Sequence, residues 1–343
     1  MKRFGIIGCG LVSDFHGKAI QMSDKAELVG AADIKLERAQ SFVEKYGGKA
    51  MSIDELISRD DIDVINVLTP NAYHEEYVVK AVRAGKHVLV EKPPEMTLEK
   101  TDNMIAEAEK AEVKLGVVLQ CRFRKAIEAI KDAIDSGRFG RIIHADAYMK
   151  WYRPTEYYFR DSWRSSRSQG AGVIIQHAFH YIDLLHHLAG PVDKVFARIQ
   201  NLAHPEVELE DTVIAILDYA NGAQGLVQGS TALYPGTDIR IEINGQNGTA
   251  IMMGEKIITW KFKDERPEDE SIRKIGVDAA MTAATGAADF GYYEHQWLIE
   301  DMVDAIENDR DPRITCVSAR DTLATALAMY ESGDTGKEAK VKR

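Results

Sequence analysis

The chain has 343 residues, 45% of them hydrophobic and 28% charged, with 43 Lys and Arg against 54 Asp and Glu for a net charge of -11. Domains run to roughly 100–200 residues, so this length suggests two, and the hydrophobic share excludes intrinsic disorder. No apolar run approaches the roughly 20 residues of a membrane span, the acidic balance argues against a nucleic-acid partner, and three Cys are too few for a disulfide framework.

The first residues, Met1-Lys2-Arg3 followed by Phe4–Cys9, imitate a short secretory signal. Ser13-Asp14-Phe15-His16 ends that apolar run too early, so the chain is read as cytoplasmic. Strand-length apolar runs then fall at Arg3–Gly8, Leu28–Asp33, Asp63–Thr69, His87–Glu91 and Lys114–Leu119. Helical stretches alternate with them at Leu11–Met22, Lys35–Tyr46, Ser52–Arg59, His74–Ala84 and Thr97–Ala111. This is the pattern of βαβ units around a doubly wound parallel sheet covered on both faces.

The rhythm changes near Gln120–Arg124. A helix at Lys125–Ser136 leads to a strand, Arg141–Lys150, and an aromatic, Arg-rich loop from Trp151 to Arg164. Gly170-Ala171-Gly172 opens an apolar helix that ends near Gly190. Six strand-like runs follow between Lys194 and Lys263, with a hairpin signal at Asn221-Gly222. Two helices, Tyr292–Asn308 and Ser318–Glu331, precede a charged tail expected to fray. The fold class is α/β: a dinucleotide-type domain at 1–121, then an α+β domain at 122–343 with a large, open, mostly antiparallel sheet.

Gly8-Cys9-Gly10-Leu11-Val12-Ser13 reads G-x-G-x-x-S between a strand and a helix. The first Gly permits the turn, the second lets the backbone approach a pyrophosphate, and the helix N-terminus offers N–H groups to the negative charge. Asp33 ends the next strand about 20 residues later, where a carboxylate binds a ribose 2′-hydroxyl and repels a 2′-phosphate. NAD is therefore the expected cofactor, with NADP the alternative because Lys35 and Arg38 follow. Asp33 could instead cap the second helix.

Ligands bind beyond the carboxyl ends of strands in such sheets. Those ends carry Thr69-Pro70-Asn71 with His74, Glu91-Lys92-Pro93, and Gln120 with Arg122. Lys92 follows an apolar strand, so partial burial would depress its pKa and suit it to proton transfer; the alternative is a surface lysine paired with Glu91. In the second half, Gln176, His180 and Asp183 fall on one helix face, and His180 is a candidate acid or base. His177 and His180 lack a Cys or carboxylate cluster to complete a metal site, so no metal is expected. Structural histidines are the alternative there.

Together these segments resemble the Gfo/Idh/MocA oxidoreductases, a family that includes glucose–fructose oxidoreductase and inositol dehydrogenases. The resemblance rests on Gly8–Ser13, Thr69-Pro70-Asn71 with His74, Ala84-Gly85-Lys86-His87-Val88-Leu89-Val90-Glu91-Lys92-Pro93, and Gly170–Asp183. It implies a Rossmann first domain and NAD(P)-dependent oxidation or reduction of a sugar, cyclitol or sugar derivative. It maps the family's catalytic lysine onto Lys92 and its helix histidine onto His180. Many members carry Asp four residues before that histidine and Gly two before it; this chain has Gln176 and Ala178. Gln cannot take up a proton, so Gln176 is left with hydrogen bonding.

The expected cofactor residues are Gly8, Gly10, Leu11, Val12, Asp33, Thr69, Pro70, Asn71, His74, Glu91, Lys92 and Gln120. Expected substrate contacts are Lys92, Arg122, Tyr152, Arg153, Trp163, Arg164, Gln176, His177, His180 and Tyr293. Aromatics stack on sugar faces and Arg pairs with carboxylate or phosphate, which points toward anionic sugar derivatives; an aromatic subunit contact or loop anchor is the alternative. The resemblance also implies a homodimer or homotetramer. Competing readings are a non-catalytic NAD(P)-sensing regulator of the same fold, and an enzyme that uses bound NAD transiently for net elimination or hydrolysis.

Overall fold

In the computed structural model the described residues are 1–167, 169–170, 172–277 and 291–343; Ala171 of the glycine segment lies outside them. The first five apolar runs become strands β1 (Lys2–Ile7), β2 (Ala26–Ala32), β4 (Val64–Val67), β5 (His87–Val90) and β6 (Leu115–Val117). A two-residue strand, β3 (Lys49–Ala50), joins them at one edge. The six run parallel in the order β3-β2-β1-β4-β5-β6. Phe4, Ile6, Val64, Ile65, Val88 and Val90 are fully buried, as a sheet covered on both faces requires.

Helices, numbered along the chain, are α1 (Ser13–Met22), α2 (Leu36–Tyr46), α3 (Ile53–Ser58), α4 (His74–Arg83), α5 (Leu98–Lys110), α6 (Lys125–Asp135), α7 (Thr155–Phe159), α8 (Phe179–Ala189), α9 (Asp269–Ile272), α10 (Tyr293–Glu307) and α11 (Cys316–Thr335). Thr97 caps α5 by accepting the Lys100 N–H, without the glutamate of a full capping box. The chain turns from β3 back across β1 to β4. That reversal opens a crevice at the carboxyl ends of β1 and β4.

The chain divides into two units, residues 1–120 with 291–320, and residues 121–290 with 321–343. A linear division at 121/122 therefore misassigns α10. Its buried residues, His295, Leu298, Ile299, Met302 and Val303, follow helical spacing and pack in the first unit. Lys25 holds Asp304 at 2.7 Å and Lys114 holds Asp309 at 3.0 Å in the same unit.

The second unit is built on β7 (Ile142–Lys150), β8 (Val192–Gln200), β9 (Thr212–Tyr219), β10 (Gln224–Ser230), β11 (Arg240–Gly245), β12 (Gly248–Met253), β13 (Lys256–Phe262) and β14 (Ala339–Lys340). Their order is β13-β12-β11-β7-β10-β9-β8-β14. All neighbours pair antiparallel except β7 with β10. The charged tail is not frayed: Ala339 pairs with Val195, and the Val341 N–H donates to Asp193 at 2.9 Å. Along β9, Val213, Ala215 and Leu217 are buried while Ile214 and Ile216 stand exposed on the opposite face.

Candidate functional site

The turn after β1 is shaped by glycine. Gly8 has a φ of +99°, and a Cβ there would lie 2.7 Å from the Leu68 carbonyl oxygen. Around Gly10 such an atom would meet nothing within 4 Å, which is the open space a pyrophosphate needs. The Ser13 hydroxyl donates to the Gly10 carbonyl at 2.6 Å, so the serine at the third position closes the loop as well as packing small. No side chain caps the N-terminus of α1. Leu11 is exposed and Val12 half-buried at its mouth.

Asp33 is aimed at this turn. Its Oδ2 accepts the Cys9 N–H and its Oδ1 the Lys35 N–H, both at 2.8 Å. The N-cap of α2 is Lys35, so Asp33 is not the helix cap. Beyond β4, Asn71 is buried and starts a 3₁₀ turn. His74 is fully buried between the carbonyls of Thr69 and Pro93, each 2.9 Å from a ring nitrogen. It donates to one of them when neutral and to both when protonated, tying the ends of β4 and β5 together. Pro70 precedes the 3₁₀ turn, Asn71–Tyr73, that leads to this histidine.

Among the described residues, Thr69 Oγ1 and Gln120 Oε1 are buried polar atoms without a hydrogen-bond partner. They follow β4 and β6, the strand ends where a dinucleotide lies, and orphaned polar groups there fit a bound ligand. The glycine turn, Asp33 and these two atoms together fit NAD.

Glu91 and Lys92 follow β5. Glu91 is buried, with Oε1 3.3 Å from His16 Nε2 and Oε2 accepting the Lys92 backbone N–H at 3.1 Å. Burial pushes its pKa up, yet the His16 hydrogen bond and the neighbouring Lys92 and histidines more than offset this and hold it at about 2. Lys92 itself is half-buried. His295 of α10 sits T-shaped to His16, ring centroids 5.2 Å apart, and burial pulls its pKa down to about 3. His16 was not expected from sequence, since no local pattern joins it to residues so far along the chain. His295, beside Tyr292 and Tyr293 near the start of a C-terminal helix, is a candidate from sequence to close the pocket. Tyr293 is exposed and stacks on Tyr292 at 4.4 Å.

In the second unit an aromatic and cationic cluster forms. Arg153 is buried with its guanidinium 5.0 Å from the Trp151 ring and 5.8 Å from the Tyr157 ring. Arg164 lies 4.5 Å from Trp163 and 5.0 Å from Tyr157, and donates to the Tyr157 hydroxyl at 2.9 Å. The His177 ring is 5.8 Å from Trp151 and 5.7 Å from Tyr157. The Tyr152 ring is edge-on to Tyr234 at 5.3 Å, and its carbonyl accepts from Arg153 Nη1 at 2.8 Å. His204, missed in the sequence, locks the loop: it bridges Asp211 Oδ2 at 2.9 Å and the Arg153 carbonyl at 2.8 Å.

The helix carrying His180 begins with a π-helical turn, Ile174–Ala178. Gln176 therefore lies in the wider turn, while His180 and Asp183 both lie in α8 at the regular spacing expected of them. Gln176 Nε2 donates to the Gly170 carbonyl at 3.3 Å, and His180 is half-buried. Asp183 is buried against Arg122, whose Nε and Nη2 donate to it at 2.8 and 2.5 Å. Arg122 is thus committed to an internal ion pair, which redirects it from substrate recognition. Glu210, a further unexpected residue, starts this helix by accepting the Ile174 N–H at 3.1 Å.

Residues 2–119 match the model of an oxidoreductase family with an NAD-binding Rossmann fold, and residues 127–251 match the GFO/IDH/MocA C-terminal domain. The chain is 30% identical to 1,5-anhydro-D-fructose reductase of Ensifer adhaerens, covering 100% of this chain and 99% of that protein. It is 27% identical to inositol 2-dehydrogenase of Rhizobium meliloti, over 96% and 95% of the two chains. Among solved structures it resembles the WlbA dehydrogenase of Bordetella pertussis in complex with NADH and UDP-GlcNAcA, with a TM-score of 0.88, 30% identity and full coverage of both chains. Levoglucosan dehydrogenase in complex with NADH shares the fold at a TM-score of 0.84 and 22% identity, over 100% of this chain and 99% of that one.

Proposed function

The chain belongs to the GFO/IDH/MocA family of oxidoreductases with an NAD-binding Rossmann domain, and from that premise we propose that it oxidises a hydroxyl of a sugar, cyclitol or sugar derivative, anionic ones included. The observation that carries this reading is Lys92 at the carboxyl end of β5, in the unit that also presents Gly8, Gly10 and Asp33. NAD, when bound, supplies the hydride acceptor. His180 takes the hydroxyl proton, and the Lys92 ammonium stabilises the charge that grows on the substrate oxygen. Arg153, Arg164, Trp163 and His177 are the proposed substrate-recognition residues. The UDP-GlcNAcA bound by the WlbA dehydrogenase supports testing nucleotide-linked uronates.

The test is a panel of sugars, cyclitols, uronates and nucleotide-linked uronates, each with NAD and with NADP, followed by absorbance of the reduced cofactor. Turnover with NAD is expected. Lys92→Ala and His180→Ala should each lower kcat by about 10²-fold or more while NAD still binds. Near wild-type turnover in both would end the assignment.

The exposed sheet face supports a homodimer or homotetramer. Phe196 and Ile216 are register partners on β8 and β9, and with Ile214 they leave an apolar strip in solvent. A second copy of the chain covers it. Sedimentation of the wild type against Ile214→Asp/Ile216→Asp tests this, and an unchanged oligomer would refute it. We place the protein in the cytoplasm, where Cys9, Cys121 and Cys316 persist as the thiols they are here. No described helix is long and apolar enough to cross a membrane.

A further inference from the structure

Three titratable side chains of the first unit cluster at Glu91, the residue before Lys92, and take no part in the reaction above. They are His16 from α1, Glu91 from the end of β5 and His295 from α10, all buried, with one ligand-type atom of each within 4.8 Å of the others. Both Glu91 oxygens are engaged, Oε1 by His16 Nε2 and Oε2 by the Lys92 backbone N–H. On its far side His16 Nδ1 faces the Asn66 amide nitrogen at 3.0 Å. Nδ1 accepts there, so Nε2 carries the proton that is given to Glu91.

We propose that His16 is a positioning residue for Lys92: acting through Glu91, it keeps a buried carboxylate ionised beside the lysine, and that charge holds the proton on the Lys92 ammonium.

The physical case starts from burial. A carboxylate as deeply enclosed as Glu91 would protonate without a donor on it. Its ionisation is favoured by Lys92, and a charge–charge interaction is mutual, so Glu91 favours the ammonium equally. Desolvation of the half-buried lysine acts in the opposite direction. Among the described residues, His74 and Glu95 are further titratable groups near the strand end. His74 is held by the Thr69 and Pro93 carbonyls, and Glu95 is paired with Lys100 at 3.1 Å. His295 is an uncharged ring against His16 and Phe15, and its Nδ1 has no hydrogen-bond partner. It adds bulk that excludes water and no competing charge.

The experiment is a carbon-13 NMR titration of the Lys92 Cε resonance in the full chain, assigned by its loss in Lys92→Arg. The Lys92 pKa should fall by about one unit or more in Glu91→Gln and in His16→Leu. It should hold in His16→Gln, whose amide keeps a donor at the Nε2 position. Should His16→Leu fail to fold, His16→Asn reads the same loss, since its amide reaches Asn66 and falls short of Glu91. An unmoved Lys92 in Glu91→Gln overturns the proposal, and so does a shift there with none in either donor-free His16 variant. One equivalent of metal per purified chain, lost in Glu91→Gln, would also overturn it. The inference rests on the proposed role of Lys92 only for its effect on turnover. A Lys92→Ala enzyme that still turns over defeats that role and leaves the titration result standing.

Discussion

Arg122 grips Asp183 with two hydrogen bonds, 2.8 Å from Nε and 2.5 Å from Nη2, and Thr322 Oγ1 donates to the same carboxylate at 3.1 Å. Both charges are buried, so each is the main compensation for the other's lost hydration. Arg122→Ala leaves a carboxylate inside the protein without its counter-ion. It is expected to lower stability by about 3–5 kcal/mol, seen as a drop in the urea midpoint. A midpoint like that of the wild type would show that the pair is dispensable.

The two loop glycines separate folding from cofactor binding. Gly8→Ala would drive a methyl group toward the Leu68 backbone at a φ that L residues avoid, so it should unfold or strongly destabilise the chain. Gly10→Ala meets no protein atom, so its thermal midpoint should match the wild type while NAD affinity falls by about tenfold or more. Calorimetry of NAD binding on folded Gly10→Ala is the check, and unchanged affinity would remove the pyrophosphate from this turn.

Asp33 is proposed to decide between the two dinucleotides. Its carboxylate repels a 2′-phosphate, while exposed Lys35 and Arg38 follow it in sequence. Asp33→Asn keeps an oxygen for the Cys9 N–H and removes the charge. The ratio of NADP to NAD affinity should rise by about tenfold or more. A ratio that stays constant would mean that another group reads the ribose.

Acid sensitivity follows from two buried histidines. Burial lowers the pKa of His295 from 6.5 to about 3 and that of His186 from 6.5 to about 4. Above pH 6.5 neither state of the chain binds these protons, and the full stability is present. Below it the unfolded chain takes them up and the folded chain does not. Each histidine therefore costs about 1.4 kcal/mol of stability per pH unit as the pH falls toward its folded value. Glu91 adds to the loss between its ordinary 4.5 and about 2, because the unfolded carboxylate protonates first. Urea midpoints measured from pH 7 to pH 5 should fall accordingly, and His186→Gln should flatten the slope. A pH-independent midpoint over that range would refute both assignments.

Much of the nucleotide end was readable because its signals are local. The G-x-G-x-x-S turn, Asp33 at the next strand end and Lys92 after an apolar run each lie within a few residues of the strand that positions them, and burial on both faces makes those strands plain. Tertiary packing decided the rest. The return of α10 to the first unit, the pairing of β14 with β8, the His16–Glu91–His295 cluster and the capture of Arg122 by Asp183 all join residues distant in sequence. A charged or aromatic residue in a loop looks the same in sequence whether it meets a ligand or a buried partner. Sequence alone determined the fold class, the dinucleotide turn and the residue types available for chemistry. Which of those residues are consumed in holding the protein together was set by burial, since a buried polar group must find a partner wherever the folded chain supplies one.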